Sequence, residues 1–88
     1  MGDRANIRLI QPNNTGSIYI YSNWSGYEMP SLLKDALVKA RPRWGDTQYF
    51  NRILIDQITK DGRDDKTGWG IGLSIGENGY NILAVDER

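Results

Sequence analysis

The sequence predicts an α+β domain in which a pair of helices packs on one face of a four-stranded antiparallel sheet, with the elements in the order β-β-α-α-β-β. Three observations lead to this fold class. Apolar residues alternate with period two near both ends of the chain, they recur at helical spacing in the middle, and turn-forming residues separate these segments. The 88 residues have the length of a single domain, residues 1–88, which buries roughly 60 % of the surface of its unfolded chain.

The first two strands are predicted at residues 5–11 and 17–23. In the second of them, Ile18 and Ile20 alternate with polar or aromatic neighbours, and the turn-forming sequence PNNTG lies between the two segments. This pattern is typical of a β-hairpin with one apolar face directed at the core.

The middle of the chain predicts two helices. Pro30 suits the first turn of a helix, and the helical spacing of apolar residues that follows it continues until Pro42. Asp46 is the predicted N-cap of the second helix, which ends near the sequence KDG. The predicted inward stripes contain Met29, Leu32, Leu33, Ala36, Leu37, Ala40, Tyr49, Phe50, Ile53, Leu54, Gln57 and Ile58.

The last two strands are predicted at residues 69–75 and 80–85, joined by Asn78 and Gly79 as a two-residue type I′ turn. This hairpin fixes which residues share a face, because side chains alternate across a sheet. The residues predicted on the core face are Trp69, Ile71, Leu73, Ile75, Ile82 and Ala84. The residues predicted on the opposite face are Gly70, Gly72, Ser74, Gly76, Asn81, Leu83 and Val85.

The stretch GWGIGLSIG leaves one side of its strand almost without side chains. A glycine inside a strand is less favourable than alanine by about 0.5–1 kcal/mol, so a compensating feature is expected. One interpretation is the close approach of a second subunit or a ligand, and the other is a bulge or twist covered by aromatic neighbours. The first interpretation predicts a homo-oligomer interface formed by Gly70, Gly72, Ser74, Leu83 and Val85.

Two groups of residues are candidates for ligand binding. Four aromatic residues, Tyr19, Tyr21, Trp24 and Tyr27, fall within nine positions, and such concentrations are typical of interfaces and of surfaces on which bases stack. The alternative is that the tyrosines only cover the sheet.

The second group lies in the sequence KARPRWG between the helices. Arg41, Arg43 and Trp44 would combine phosphate contacts with a stacked ring. The alternative is that the two arginines only stabilise the C terminus of the first helix.

Composition excludes several functions. The chain has no cysteine and no histidine, which removes disulfides, thiolate nucleophiles and the commonest general base and metal ligand. Eleven Lys and Arg balance eleven Asp and Glu, so broad nucleic-acid binding is not expected. No cofactor or metal site is predicted, because DGRDDKTG lacks the ligand spacing of an EF-hand and the glycine run matches no nucleotide fingerprint. The absence of a long apolar run or a signal-like N terminus predicts a cytoplasmic protein without a membrane partner.

Three long strings carry a resemblance: SIYIYSNWSGYEMP, RWGDTQYFNRILIDQI and TGWGIGLSIGENGYNILAVD. They are similar to segments of a group of small uncharacterised proteins encoded by tailed phages and prophages, and the likeness covers most of the chain. The resemblance implies a phage origin and action in the cytoplasm of the infected cell. The group has no established activity, so it assigns no site residue.

The expected function is binding without catalysis. By analogy with small phage proteins, one target is a nucleotide second messenger of host defence, sequestered between the subunits of a homo-oligomer. The other is a host protein that an exposed aromatic patch blocks. A small hydrolase is a further alternative, since carboxylates are present although no catalytic pair is recognisable.

Overall fold

The computed structural model describes residues 4–22, 26–74 and 81–87, and it confirms the α+β class. The strands are β1 (Ala5–Ile10), β2 (Ser17–Ser22), β3 (Trp69–Gly72) and β4 (Asn81–Asp86), and the helices are α1 (Met29–Lys39) and α2 (Thr47–Thr59). Short 3-10 turns lie at Gly26–Glu28, Arg41–Arg43 and Lys60–Gly62. Neither α-helix in these ranges has the length and hydropathy that a membrane span requires.

The predicted hairpin of β1 and β2 is confirmed. The two strands pair antiparallel, with Ile7 opposite Ile20 on the core face. In the connecting turn the Gln11 N–H donates to the Gly16 carbonyl oxygen at 2.9 Å. Asn13 and Asn14 adopt left-handed backbone angles, φ 61° and 57°, which asparagine tolerates better than most residues.

The predicted hairpin of β3 and β4 is wrong. The order within the sheet is β3-β2-β1-β4, with β3 antiparallel to β2 and β4 parallel to β1. The sheet is therefore mixed, and β3 and β4 run parallel at its opposite edges. A two-residue turn joins only neighbouring antiparallel strands, so it cannot connect them. Asn78 and Gly79 themselves lie outside the described residues.

The pairing of β4 also reverses its predicted faces. Leu83 and Val85 pair with the buried Ile7 and Leu9, and both pack against the core on the helix side of the sheet. Their predicted position beside the glycines is therefore wrong. Ile82, predicted in the core, is 48 % exposed on the other side, where Ala84 is also exposed.

For β3 the predicted alternation is confirmed, but Ile71, predicted in the core, is 60 % exposed. Trp69 packs against the core, while Gly70 lies opposite Tyr21 and Gly72 lies opposite Tyr19 on the side away from the helices. We call this side the open face; it carries Asn6, Arg8, Tyr19, Tyr21, Gly70 and Gly72. Leu73, predicted in the core, is exposed because β3 ends at Gly72.

The helices bury the predicted stripes with one exception. The buried apolar core consists of Ala5, Ile7, Leu9, Ile20, Met29, Ala36, Ala40, Phe50, Leu54 and Ile58. Tyr49, predicted in the inward stripe, is 53 % exposed, and its ring lies under the Arg43 guanidinium. Asp46 occupies the predicted N-cap position of α2, but its side chain makes no capping hydrogen bond and lies near Arg43 instead.

Candidate functional site

The residues predicted to bind a ligand do not meet in one site of a single chain. Tyr19 and Tyr21 lie on the open face, whereas Arg41 and Trp44 lie on the helix side, next to a groove that Leu83 of β4 also lines. Trp24 lies outside the described residues. Aromatic and cationic groups therefore form two separate surfaces on opposite sides of the sheet.

Tyr27 and Arg43 belong to neither surface. Tyr27 is 89 % exposed in the 3-10 turn before α1. The Arg43 guanidinium lies 5.0 Å from the centre of the Tyr49 ring and 3.9 Å from the Asp46 carboxylate, so it is directed at α2. The arginine that accompanies Trp44 is Arg41, with its guanidinium carbon 5.5 Å from the centre of the indole ring.

A small pocket lies on the open face where β2 meets β3. Two rows of paired residues cross this face from β1 to β3. One row consists of Asn6, Tyr21 and Gly70, and the other consists of Arg8, Tyr19 and Gly72. The pocket has a volume of about 160 Å³ and is lined by Asn6, Tyr19, Tyr21, Gly70, Ile71, Gly72 and Ser74. We call it the open-face pocket. Aromatic rings and bare backbone form most of its lining.

The glycines that line this pocket are not required by the described protein itself. A Cβ atom on Gly70 would lie 3.9 Å from two carbon atoms of Tyr21, and one on Gly72 would lie 3.5 Å from the Ser74 carbonyl oxygen. Both distances are ordinary van der Waals contacts. Neither glycine adopts a positive φ. Glycine at these two positions therefore relieves neither a clash nor backbone strain, and its effect is to keep the pocket open.

The polar groups near the pocket come from β1. The Arg8 Nε donates a 2.9 Å hydrogen bond to Ser17 Oγ, and the guanidinium carbon lies 5.9 Å from the centre of the Tyr19 ring. Asn6 is 1 % exposed and contributes an amide group to the lining. Asn6 was not predicted as a site residue, although a polar residue between two apolar residues of a strand is a usable signal in the sequence.

A second polar cluster lies at the ends of β1 and β4 and was also missed. The Gln11 Nε2 donates to Glu87 Oε2 at 2.9 Å, and the Asn51 Nδ2 of α2 donates to Gln11 Oε1 at 2.7 Å. Burial raises the pKa of Glu87 above its usual value of 4.5, and the hydrogen bond from Gln11 opposes that rise. This cluster lines neither the open-face pocket nor the helix-side groove.

The described residues contain no group of three or more carboxylates that is arranged to hold a metal ion. In the acidic loop after α2, Arg63 donates to the Asp56 Oδ1 at 2.6 Å. No protein-family model, no curated protein and no solved structure matches the chain. Function is therefore inferred from the geometry of the two surfaces.

Proposed function

We propose that this chain is a noncatalytic binding protein that holds one aromatic ring of a nucleotide-like ligand in the open-face pocket. The observation that carries the proposal is a pocket beside two tyrosines that Gly70 and Gly72 keep open, although the described protein needs no glycine at either position. Each interior glycine weakens a strand by about 0.5–1 kcal/mol relative to alanine. Binding of a ligand in the pocket explains why glycine occupies these two positions in spite of that loss of stability, since internal packing does not require it.

The size of the pocket limits what it holds. Its volume of about 160 Å³ is close to the roughly 150 Å³ of an engineered cavity that binds benzene, and a pocket for a whole drug-sized molecule is about 300–1,000 Å³. One ring therefore fits, and the rest of the ligand lies outside the pocket.

The lining suits a base and a phosphate. A base would stack on Tyr19 or Tyr21, an interaction worth about 1–3 kcal/mol. Arg8, which follows Asn6 on the same face by two positions, is placed to pair with a phosphate. The exposed part of the ligand would be covered by a second subunit against Gly70, Gly72 and Ser74, which are three of the five residues of the homo-oligomer interface expected from the sequence.

The phage resemblance supports a biological role for such binding. A phage protein that sequesters a nucleotide signal of host defence needs affinity and abundance, and it needs no catalytic group. We assign this role to the chain, with the infected cell's cytoplasm as its place of action.

Isothermal titration with cyclic dinucleotides, ADP-ribose and AMP tests the proposal. At least one of these ligands should bind with a Kd below about 100 μM. Tyr21→Ala should weaken that binding at least tenfold, about 1.4 kcal/mol, and Gly70→Val should abolish it by filling the pocket. Tyr49→Ala is the matched control, because Tyr49 also lies under an arginine but borders no open-face pocket.

Two further measurements separate the alternatives. Chromatography of the ligand after incubation should recover it unchanged, whereas a cleaved product would favour the hydrolase. Light scattering on a size-exclusion column should give an oligomer that Gly72→Glu dissociates. Failure of every ligand to bind, or binding unaffected by both Tyr21→Ala and Gly70→Val, contradicts the proposed function.

A further inference from the structure

The helix side of the molecule carries a second, larger concavity between α1 and β4. It has a volume of about 380 Å³, and its apolar walls are formed by Pro30, Leu33, Leu37, Val38 and Leu83. We call it the α1–β4 groove. Val38 is 54 % exposed and Trp44, at one end of the groove, is 56 % exposed. Exposed apolar residues grouped in this way are typical of surfaces that bind another molecule.

Trp44 is held in a fixed orientation at this site. Its Nε1 donates a 3.0 Å hydrogen bond to the Leu37 carbonyl oxygen, which is one of the last acceptors of α1. The Arg41 guanidinium lies 5.5 Å from the ring centre. A tryptophan that is exposed and already oriented loses little entropy on binding, and Trp and Arg are the residues most enriched at the energetic centres of interfaces.

The charge of the groove is positive. Lys34 and Arg41 are the charged residues that line it, and no carboxylate lines it. Among the described residues neither Lys34 nor Arg41 forms an ion pair with a carboxylate, whereas Arg43 and Arg63 do, with Asp46 and Asp56. A partner with acidic side chains would complete both pairs.

The groove runs beside an edge strand of the sheet. Within residues 4–22, 26–74 and 81–87, β4 pairs only with β1, and no described strand pairs with the other side of Asn81–Asp86. An unpaired edge accepts an additional strand, about 4.8 Å away, through main-chain hydrogen bonds. Leu83, which packs on the helix side, belongs to both the edge strand and the groove wall.

From these observations we propose that the α1–β4 groove binds an extended, acidic and apolar segment of a partner protein, which adds to the outer edge of β4. Alternate residues of the segment enter the groove, so its apolar residues contact Leu37, Val38 and Trp44 and its carboxylates pair with Lys34 and Arg41. An extended segment fits this site better than a helix, because only an extended backbone pairs with the edge. The proposal does not depend on the ligand of the open-face pocket, which lies on the other side of the sheet.

Selection from a yeast-displayed library of random 12-residue peptides tests the proposal, with the wild type as bait and the Lys34→Glu, Arg41→Glu double variant for counter-selection. Enriched peptides should alternate apolar with acidic or polar residues. Fluorescence anisotropy with one labelled peptide should give at least tenfold weaker binding for Arg41→Glu and for Trp44→Ala. Arg43→Glu, two positions away and directed at α2, should bind within twofold of the wild type.

Backbone methylation tests the strand-like geometry. N-methylation of alternate peptide residues that face β4 should weaken binding at least tenfold, while methylation of the intervening residues should change it less than twofold. Tyr21→Ala should leave peptide binding unchanged, which separates this proposal from the ligand site. Circular dichroism of each variant verifies the fold.

Four outcomes would overturn the proposal. The first is no enrichment over the double variant, and the second is insensitivity to methylation at both sets of positions. The third is a wild-type dimer that Arg41→Glu dissociates, which would make the occupant a second copy of the chain. The fourth is Arg41-dependent binding to vesicles with one quarter phosphatidylglycerol in the absence of any selected peptide, which would make it a lipid surface.

Discussion

The two edge strands of the sheet, β3 and β4, present opposite kinds of surface. On the open face β3 carries only Gly70 and Gly72, and the pocket there exists because side chains are absent. β4 directs Leu83 and Val85 at the helices and borders a groove that apolar side chains and two cations define. One small domain thus has two candidate surfaces on different sides. The face on which an edge strand places its large residues decides which surface forms beside it.

The largest expected effect tests the face assignment of β4 directly. Val85→Asp should lower the free energy of unfolding by about 3 kcal/mol, because it moves a charge into the packed side of the sheet. Ala84→Asp, the same new residue one position earlier, should cost less than about 1 kcal/mol, since Ala84 is exposed opposite Arg8. Urea unfolding of both variants measures the difference. If Ala84→Asp were the more destabilising variant, the parallel pairing with β1 would be wrong.

The contrast between the strands also explains which faces the sequence predicts. In β3 the glycines occupy one parity and large apolar residues the other, so the strand alone indicates its core face. In β4 all four residues from Ile82 to Val85 are apolar, so an alternating pattern does not indicate which face of the strand is directed at the core. The prediction therefore depended on a hairpin inferred from Asn78 and Gly79, whereas the real partner of β4 is β1, some 75 positions earlier in the chain. Local turn chemistry carries no information about such a pairing.

As with the strand faces, the sequence predicts only part of each candidate surface. The outward direction of Tyr19 and Tyr21 follows from the alternation of β2, and the structure confirms it. Their position beside Gly70 and Gly72 depends on the pairing of β2 with β3, which joins segments 50 positions apart. Prediction of the groove likewise depends on the position of Leu83 against α1. The role of Gly70, Gly72 and Ser74 as an oligomer interface stays a prediction.

A comparison of two glycines tests whether the bare side of β3 is a structural requirement. A Cβ on Gly62 would lie 2.6 Å from Cδ1 of Trp69, whereas one on Gly70 meets only ordinary contacts. Gly62→Ala should therefore destabilise the protein by about 1–3 kcal/mol, since the half-buried indole must move. Gly70→Ala should stabilise it by up to about 1 kcal/mol through the better strand and unfolded-state properties of alanine.

Thermal unfolding of both alanine variants, combined with the ligand titration, completes this test. A more stable Gly70→Ala protein with weakened ligand binding would mean that the glycine serves the pocket at the expense of the fold. A Gly70→Ala protein that is as unstable as Gly62→Ala would mean instead that β3 needs the glycine to fold, and the main support for the open-face pocket as a ligand site would be lost.

The smallest expected effect concerns the end of β4, where Glu87 accepts a hydrogen bond from Gln11 just beyond β1. Gln11 and Glu87 lie close together because β1 and β4 are parallel neighbours, whose C-terminal ends lie at the same edge of the sheet. An antiparallel β3–β4 hairpin would not require these two residues to be close. In the described structure Glu87 Oε1 and Asn51 Oδ1 are both buried acceptors without a hydrogen bond. Glu87→Gln replaces one of these oxygens by a donor and removes a partly desolvated charge.

The pH dependence of that substitution has a definite sign. The pKa of Glu87 is raised by burial, so the folded state holds the proton more tightly than the unfolded state. Its contribution to stability is therefore most favourable below about pH 4.5 and is lost as the pH rises through the folded pKa. At pH 7 Glu87→Gln should raise the Tm, by less than about 4 °C because the carboxyl group is only partly buried, and the gain should shrink towards pH 4. Asp64→Asn, the same charge change in the exposed loop after α2, controls for the change in net charge. A Glu87→Gln protein that is less stable at pH 7 than at pH 4 relative to wild type would place the Glu87 carboxylate in a favourable ion pair instead.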